Sequence, residues 1–169
     1  MPHRIFRLLT VVWVGSLLTI GYAVAPVLFS SLDRTTAGAV AAQLFRMEGV
    51  LGAVCGILLL GLANVLVRRG NGDYRRLRWL VAGMLICVLV GYFALQPFMN
   101  AMRVAALEAG TDLAHSTYAA RFGMLHGVSS VFYLIESLLG MALVWKLPLN
   151  TGAGVAQQGA PDVSGKVAG

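Results

Sequence analysis

The sequence predicts an all-α integral membrane protein, a four-helix antiparallel bundle with short amphipathic helices in its two outer connections. Three observations predict it. Of the 169 residues, 58% are hydrophobic and only 12% are charged, against about 45–50% and about 25% in a soluble domain. Four apolar runs approach or exceed the roughly 20 helical residues that cross a bilayer core of about 30 Å. Basic residues gather on alternate connections between those runs. This composition excludes a soluble enzyme domain, a disordered chain and a disulfide scaffold. The length holds one small bundle, residues 1–148, and no second folded domain.

The first span is expected over residues 5–29, behind His3 and Arg4, with Arg7 at its start and no charge from residue 8 onward. Ala23-Val24-Ala25 has the small-residue spacing of a signal-peptide cleavage site. The run is far longer than an h-region of about 7–15 residues, and Pro26 would follow the cut, so the span is expected to be retained. The second span is expected over 49–67. The third, over 79–97, should end at Pro97, which cannot continue the hydrogen-bond ladder. The fourth, over 123–145, is closed by Lys146 and Pro148. In lipid the backbone polar groups must be satisfied within each helix, which makes a helical bundle the simplest architecture.

The connections are short or patterned. Thr35 to Met47 sets apolar residues at helical spacing between Arg34 and Arg46, and Phe98 to Phe122 interleaves them with Arg103, Glu108 and Asp112. Both read as interfacial or span-extending helices. Gly110-Thr111-Asp112 breaks the second stretch and offers Thr111 or Asp112 as a cap. Arg68-Arg69-Gly70-Asn71-Gly72-Asp73 is a turn with basic flanks. Residues 149–169 are rich in Gly, Ala, Gln and Ser and are expected to form a disordered cytoplasmic tail. No repeat between the two halves is evident.

Charge sets the expected orientation. Arg4, Arg7, Arg68, Arg69, Arg75, Arg76, Arg78, Lys146 and Lys166 fall on one side, and Arg34, Arg46, Arg103 and Arg121 on the other. The richer side is expected to be cytoplasmic, so both termini lie in the cytoplasm and the protein is a multi-pass protein of the inner membrane. Asp33, Glu48, Glu108 and Asp112 are then assigned to the outer side. The net charge of +6 points to lipid headgroups, and no nucleic-acid partner is expected, because the cations flank apolar spans.

Packing between helices in lipid relies on small residues that allow close approach. Gly52 and Gly56 form one such face, Gly83, Cys87 and Gly91 a second, and Gly123 and Gly127 a third. These faces serve the bundle itself or, in the alternative, a homo-oligomer or a membrane protein partner.

Several short motifs recur in a set order: Trp13-Val14-Gly15, Gly21-Tyr22-Ala23-Val24-Ala25-Pro26-Val27-Leu28-Phe29, Ala37-Gly38, Leu44-Phe45, and Phe122-Gly123-Met124-Leu125-His126-Gly127-Val128-Ser129. In this order over residues 5–146 the chain resembles the bacterial membrane family called domain of unknown function 4149, which is similar to the eukaryotic transmembrane protein 205. The resemblance implies a four-span membrane protein with no established enzyme activity. For the eukaryotic relatives it implies a hint of platinum-drug resistance and metal handling. The family motif favours an amide or neutral residue where this chain has Glu136, so the resemblance assigns Glu136 no role.

Span four carries the strongest chemical signal. At about 100° per residue, His126, Ser129, Tyr133, Glu136, Ser137 and Gly140 share one face of an otherwise apolar helix. A charge at mid-membrane costs about 2.5–3.5 kcal/mol on insertion scales, so Glu136 should face the bundle interior, be protonated or be paired. The functional reading is a proton or cation site with Glu136 as the carboxylate, Tyr133 and Ser129 as hydrogen-bond partners, and His126 nearer the outer surface. The structural reading is a protonated Glu136 bound to Asn64 or Gln96 as interhelical glue, favoured because no second intramembrane charge is apparent. A lone histidine at depth does not support a bis-histidine haem.

A second candidate is softer. Met47, Met99, Met102 and Met124 map to the outer ends of spans two to four with His126, and thioether and imidazole ligands suit a soft metal ion such as Cu(I). Against it, methionine is a common gap-filler in apolar segments. Cys55 and Cys87 lie within apolar runs and are not expected to form a disulfide. No Walker loop, dinucleotide fingerprint, GxSxG or HExxH occurs, and no catalysis or resident cofactor is expected. The resulting expectation is a small transporter, or a transport accessory, for a cation or soft metal. The alternative is a non-transporting scaffold or assembly partner packing through its glycine faces.

Overall fold

The structure is a computed structural model and describes residues 2–148; the expectation for 149–169 falls outside them. Helix α1 (Pro2–Thr19) passes through a wide turn, Ile20–Val24, into α2 (Ala25–Ser31). Helix α3 spans Arg34–Arg68, α4 Tyr74–Leu89 and α5 Gln96–Glu108, with a second wide turn at Val90–Leu95 between the last two. A single 3-10 turn, Leu113–His115, leads to α6 (Ala119–Trp145). The described residues contain no strand. Four continuous helical stretches, Pro2–Ser31, Arg34–Arg68, Tyr74–Glu108 and Ala119–Trp145, are long and apolar enough to cross a membrane.

These spans overrun the expected limits. Of the two expectations for Thr35 to Met47 the span-extending one applies: the stretch is the first third of α3, whose 35 residues rise about 52 Å at about 1.5 Å each. Asp33, in an extended conformation, caps it by accepting the Thr36 N–H at 2.9 Å. That bond holds the Asp33 carboxyl below its ordinary value. No proline interrupts the helix from there to Arg68.

Span three does not end at Pro97. Within a regular α-helix proline removes one hydrogen bond, and its ring strikes the carbonyl four residues back. Here the preceding turn widens, so the Gln96 N–H bonds the Gly91 carbonyl five residues back. Pro97 then enters at the start of α5, where a missing N–H costs little. Span one treats Pro26 the same way: the Ala25 N–H bonds the Ile20 carbonyl across the first wide turn. Single wide turns of this kind are often found at functional sites.

The helices form a square. Each span packs on its neighbours in sequence, and α6 closes against α1, leaving spans one and three, and two and four, on the diagonals. At the basic end, Gly70 takes φ 87° to turn the chain from α3 into α4. The core lies in this half of the bundle. Phe6, Trp13, Leu17, Leu59, Leu66, Tyr74, Leu77, Val81, Met84 and Leu143 are buried there. Tyr74 meets the Phe6 ring edge-on and bonds His3 Nδ1 at 2.9 Å. Trp79 and Trp145, 69% and 89% exposed, ring the same end, where amphipathic aromatics sit at a membrane interface.

The packing glycines are partly those expected. A methyl group at Gly52 or Gly56 would strike Trp13, and one at Gly83 would crowd Leu139. Gly91, Gly123 and Gly127 have open space instead, so the outer part of α6 uses neither glycine to pack within the bundle. Close approach is supplied by three glycines that the expected faces omit: Gly21 against Tyr133, Gly49 against Tyr92, and Gly140 against Val14 and Met84.

Candidate functional site

Glu136 faces the bundle interior, 4% exposed. It does not bond Asn64 or Gln96. Asn64 accepts from Arg78 at 3.2 Å, and Glu136 Oε1 has no hydrogen-bond partner among the described residues. The lower part of the polar stripe turns inward with it. Tyr133 donates its hydroxyl to the Leu17 carbonyl at 2.5 Å, and Ser137 donates to the Tyr133 carbonyl at 2.8 Å. The upper part leaves the interior. Ser129 is half-buried, while His126 is exposed and stacked on Phe122. His126 is therefore not part of one site with Glu136.

The structure also brings in a residue that sequence reasoning assigned to the outer side. Glu48 is 4% exposed, and its Oε1 likewise has no hydrogen-bond partner among the described residues. Because α3 begins at Arg34 and not at Gly49, Glu48 lies about 21 Å along the helix. The two carboxyls share a depth. Helices α3 and α6 both run toward the basic end. One turn beyond Glu48, Gly52 rests on Trp13; one turn beyond Glu136, Gly140 rests on Val14, the next residue of α1. Phe45, one turn before Glu48, meets Tyr133 edge-on at 5.4 Å across the diagonal.

The remaining wall comes from α1. Trp13 is fully buried, and its indole N–H lies beside Glu136 but falls short of hydrogen-bond geometry, leaving Nε1 without a partner. No basic side chain neutralises either carboxyl among the described residues. The site thus gathers two buried acids, one phenol and one unbonded indole N–H. A buried carboxyl without a partner is costly enough that it should be protonated, hydrated or bound to a cation.

A repeated sequence pattern could have found Glu48. Phe45-Arg46-Met47-Glu48-Gly49-Val50-Leu51-Gly52 matches Tyr133-Leu134-Ile135-Glu136-Ser137-Leu138-Leu139-Gly140 in its aromatic, its acid, the small residue after it, Leu and Gly. Gly21-Tyr22 with Pro26 and Gly91-Tyr92 with Pro97 form a second pair, at the two wide turns. These two short patterns occur in both halves, with unequal spacing between them.

The four methionines differ in exposure. Met99 is buried and Met102 half-buried, whereas Met47 and Met124 are 71% and 63% exposed. No group of three or more His, Cys, Asp or Glu able to hold a metal ion occurs among the described residues. Cys55 and Cys87 are buried and free.

Fold and site together define a multi-pass membrane protein with an acidic pair inside its helix bundle. Residues 8–108 match the family described as Domain of unknown function (DUF4149), and the chain belongs to that family. The match takes in Glu48 and both wide turns and stops short of α6 and Glu136, so it is narrower than the 5–146 of the sequence resemblance. No curated protein and no solved structure matches the chain.

Proposed function

We propose that the protein is a small transporter, or the ion-handling subunit of one, for a cation, with Glu48 and Glu136 as the binding carboxylates and Tyr133 as a positioning hydroxyl. The observation that carries this reading is the pair of buried carboxyls at one depth, each with an oxygen left unbonded. Structural glue would satisfy those oxygens, since an unpaired buried acceptor costs about 1–3 kcal/mol and more when charged. The acceptors left unbonded at the pair are carboxyl oxygens. Oxygen donors suit a proton or a hard cation; soft ions such as Cu(I) prefer thioether and thiolate ligands. This favours the hard cation over the methionine path. The basic end, with both termini, belongs to the cytoplasm of the inner membrane on the Lys and Arg bias.

The test is cation flux in proteoliposomes of the full-length protein under an imposed pH gradient, with Na+ and K+ as probes. Glu48→Gln and Glu136→Gln should each reduce flux at least tenfold while the protein still elutes as a folded species. Equal flux in wild type and both variants would leave the scaffold reading, in which the glycine faces pack against another membrane protein.

A further inference from the structure

The basic end of the bundle holds a cleft that the acidic pair does not use. It opens because α6 stops early. Met84 of α4 rests on Gly140 of α6. From that contact α4 runs back about ten residues to Tyr74, about 15 Å, while α6 runs on about five to Trp145, about 8 Å. Pro148, just past the helix end, cannot continue it, and Leu147 turns back onto the core. The shortfall leaves a cleft of about 590 Å3 beside the turn from α3 into α4, lined by Gly72, Asp73, Arg76, Leu77, Lys146 and Pro148.

The lining has a definite chemistry. Arg76 from α4 and Lys146 from the end of α6 bring two exposed cations to one opening. Leu77, buried in the core, and half-buried Pro148 give it an apolar side. Asp73 precedes α4, yet its carboxylate makes no capping bond to that helix, so it serves the cleft. Two cations and one anion leave a single net positive charge. A guanidinium grips two phosphate oxygens in parallel, and an ammonium adds a mobile point charge. A carboxylate in the same opening repels a second negative charge and accepts from a hydroxyl.

The surroundings place this opening at the level of lipid headgroups. Trp145, next to Lys146, and Trp79, one turn beyond Arg76, are both exposed, and the Arg78 guanidinium lies 5.6 Å from the Trp79 ring. Exposed indoles of membrane helices sit at the boundary between headgroups and acyl chains, and basic pockets between helix ends hold anionic headgroups. A soluble anion would make no use of the indoles or of the apolar side, whereas acyl chains lie along both. We infer that this cleft binds one anionic phospholipid, its phosphodiester between Arg76 and Lys146 and a headgroup hydroxyl donating to Asp73. Phosphatidylglycerol has that chemistry. Phosphatidylcholine has neither the net charge nor the hydroxyl.

The test is native mass spectrometry of the full-length protein in detergent, with phosphatidylglycerol, phosphatidylcholine, phosphatidic acid or inorganic phosphate added. Wild type should hold one phosphatidylglycerol per chain and hold phosphatidylcholine about fivefold less. Arg76→Gln/Lys146→Gln should lower bound phosphatidylglycerol about fivefold or more, because it removes both charge-assisted contacts. Arg69→Gln/Arg75→Gln removes the same charge from the same end, outside the cleft, and should lower it less than about twofold, as scattered surface charges contribute little. All five side chains tested, Asp73 included, are exposed, so the fold is retained. Phosphatidic acid lacks the hydroxyl and can carry a second charge; it should bind more weakly than phosphatidylglycerol in wild type and equally well in Asp73→Ala. Equal losses in the two double variants would reduce the site to diffuse surface charge and overturn it. Phosphatidylcholine held as well as phosphatidylglycerol, or displacement of the lipid by equimolar phosphate, would overturn the lipid assignment. Phosphatidic acid preferred by wild type would overturn the role of Asp73.

Discussion

The two halves of the bundle are built differently. In the basic half, all four spans send large side chains to one centre: Phe6, Trp13 and Leu17 from α1, Leu59 and Leu66 from α3, Leu77, Val81 and Met84 from α4, and Leu143 from α6. In the far half, α2 buries no residue, and α6 buries none before Glu136. What is buried there is mostly small, Ala37 and Ala41 on α3 and Ala106 on α5, with Met99 beside them. The acidic pair sits at the boundary. The tight half gives it a fixed floor. The two wide turns, which absorb Pro26 and Pro97, also fall at this boundary.

The largest expected difference between the halves is in stability. Trp13→Ala opens a cavity at the centre of the tight half. Truncating a buried Trp costs about 3–5 kcal/mol. The low end applies here, because the unfolded reference is itself in lipid and the transfer part of that cost shrinks. Phe98, 63% exposed at the start of α5, should change stability by under about 0.5 kcal/mol when cut to Ala. Unfolding in mixed detergent micelles measures both, and comparable losses would erase the contrast.

The smallest expected effect is at the far tip. Asp33→Ala removes the cap of α3 and should fray its first turn, read as faster amide exchange at Thr36 with no change at Leu59. The folded-state carboxyl is held low, so the cap operates above the ordinary aspartate value of about 3.9 and fails as pH falls through its lower folded value. Wild-type protein should therefore fray at Thr36 only in acid, whereas Asp33→Ala should fray at every pH.

What could be read from the sequence follows the same division. Span order, the turn at Gly70 and the inward face of Glu136 were legible, because apolar length and helical period are strong signals in lipid. The wide turns were not: proline marks a break, and nothing local in Gly91-Tyr92-Phe93-Ala94-Leu95-Gln96-Pro97 says that the helix will widen and continue. Glu48 was hidden for a related reason. Arg34, Arg46 and Glu48 look like a polar connection when counted as charges, yet Arg46 points outward while Glu48, two residues on, points in. Helical phase decides between them, and phase needs the true start of α3. Phase also divides the methionines, since Met47 and Met124 lie on exposed faces and Met99 is buried.

The most direct test of the paired site is labelling with a hydrophobic carbodiimide, which reacts with protonated carboxyls inside membranes, followed by peptide mass spectrometry. The account predicts labelling at Glu48 and at Glu136, each suppressed by Na+ or K+ and each lost in its own Gln variant. No labelling at either glutamate, or labelling indifferent to both cations, would contradict it.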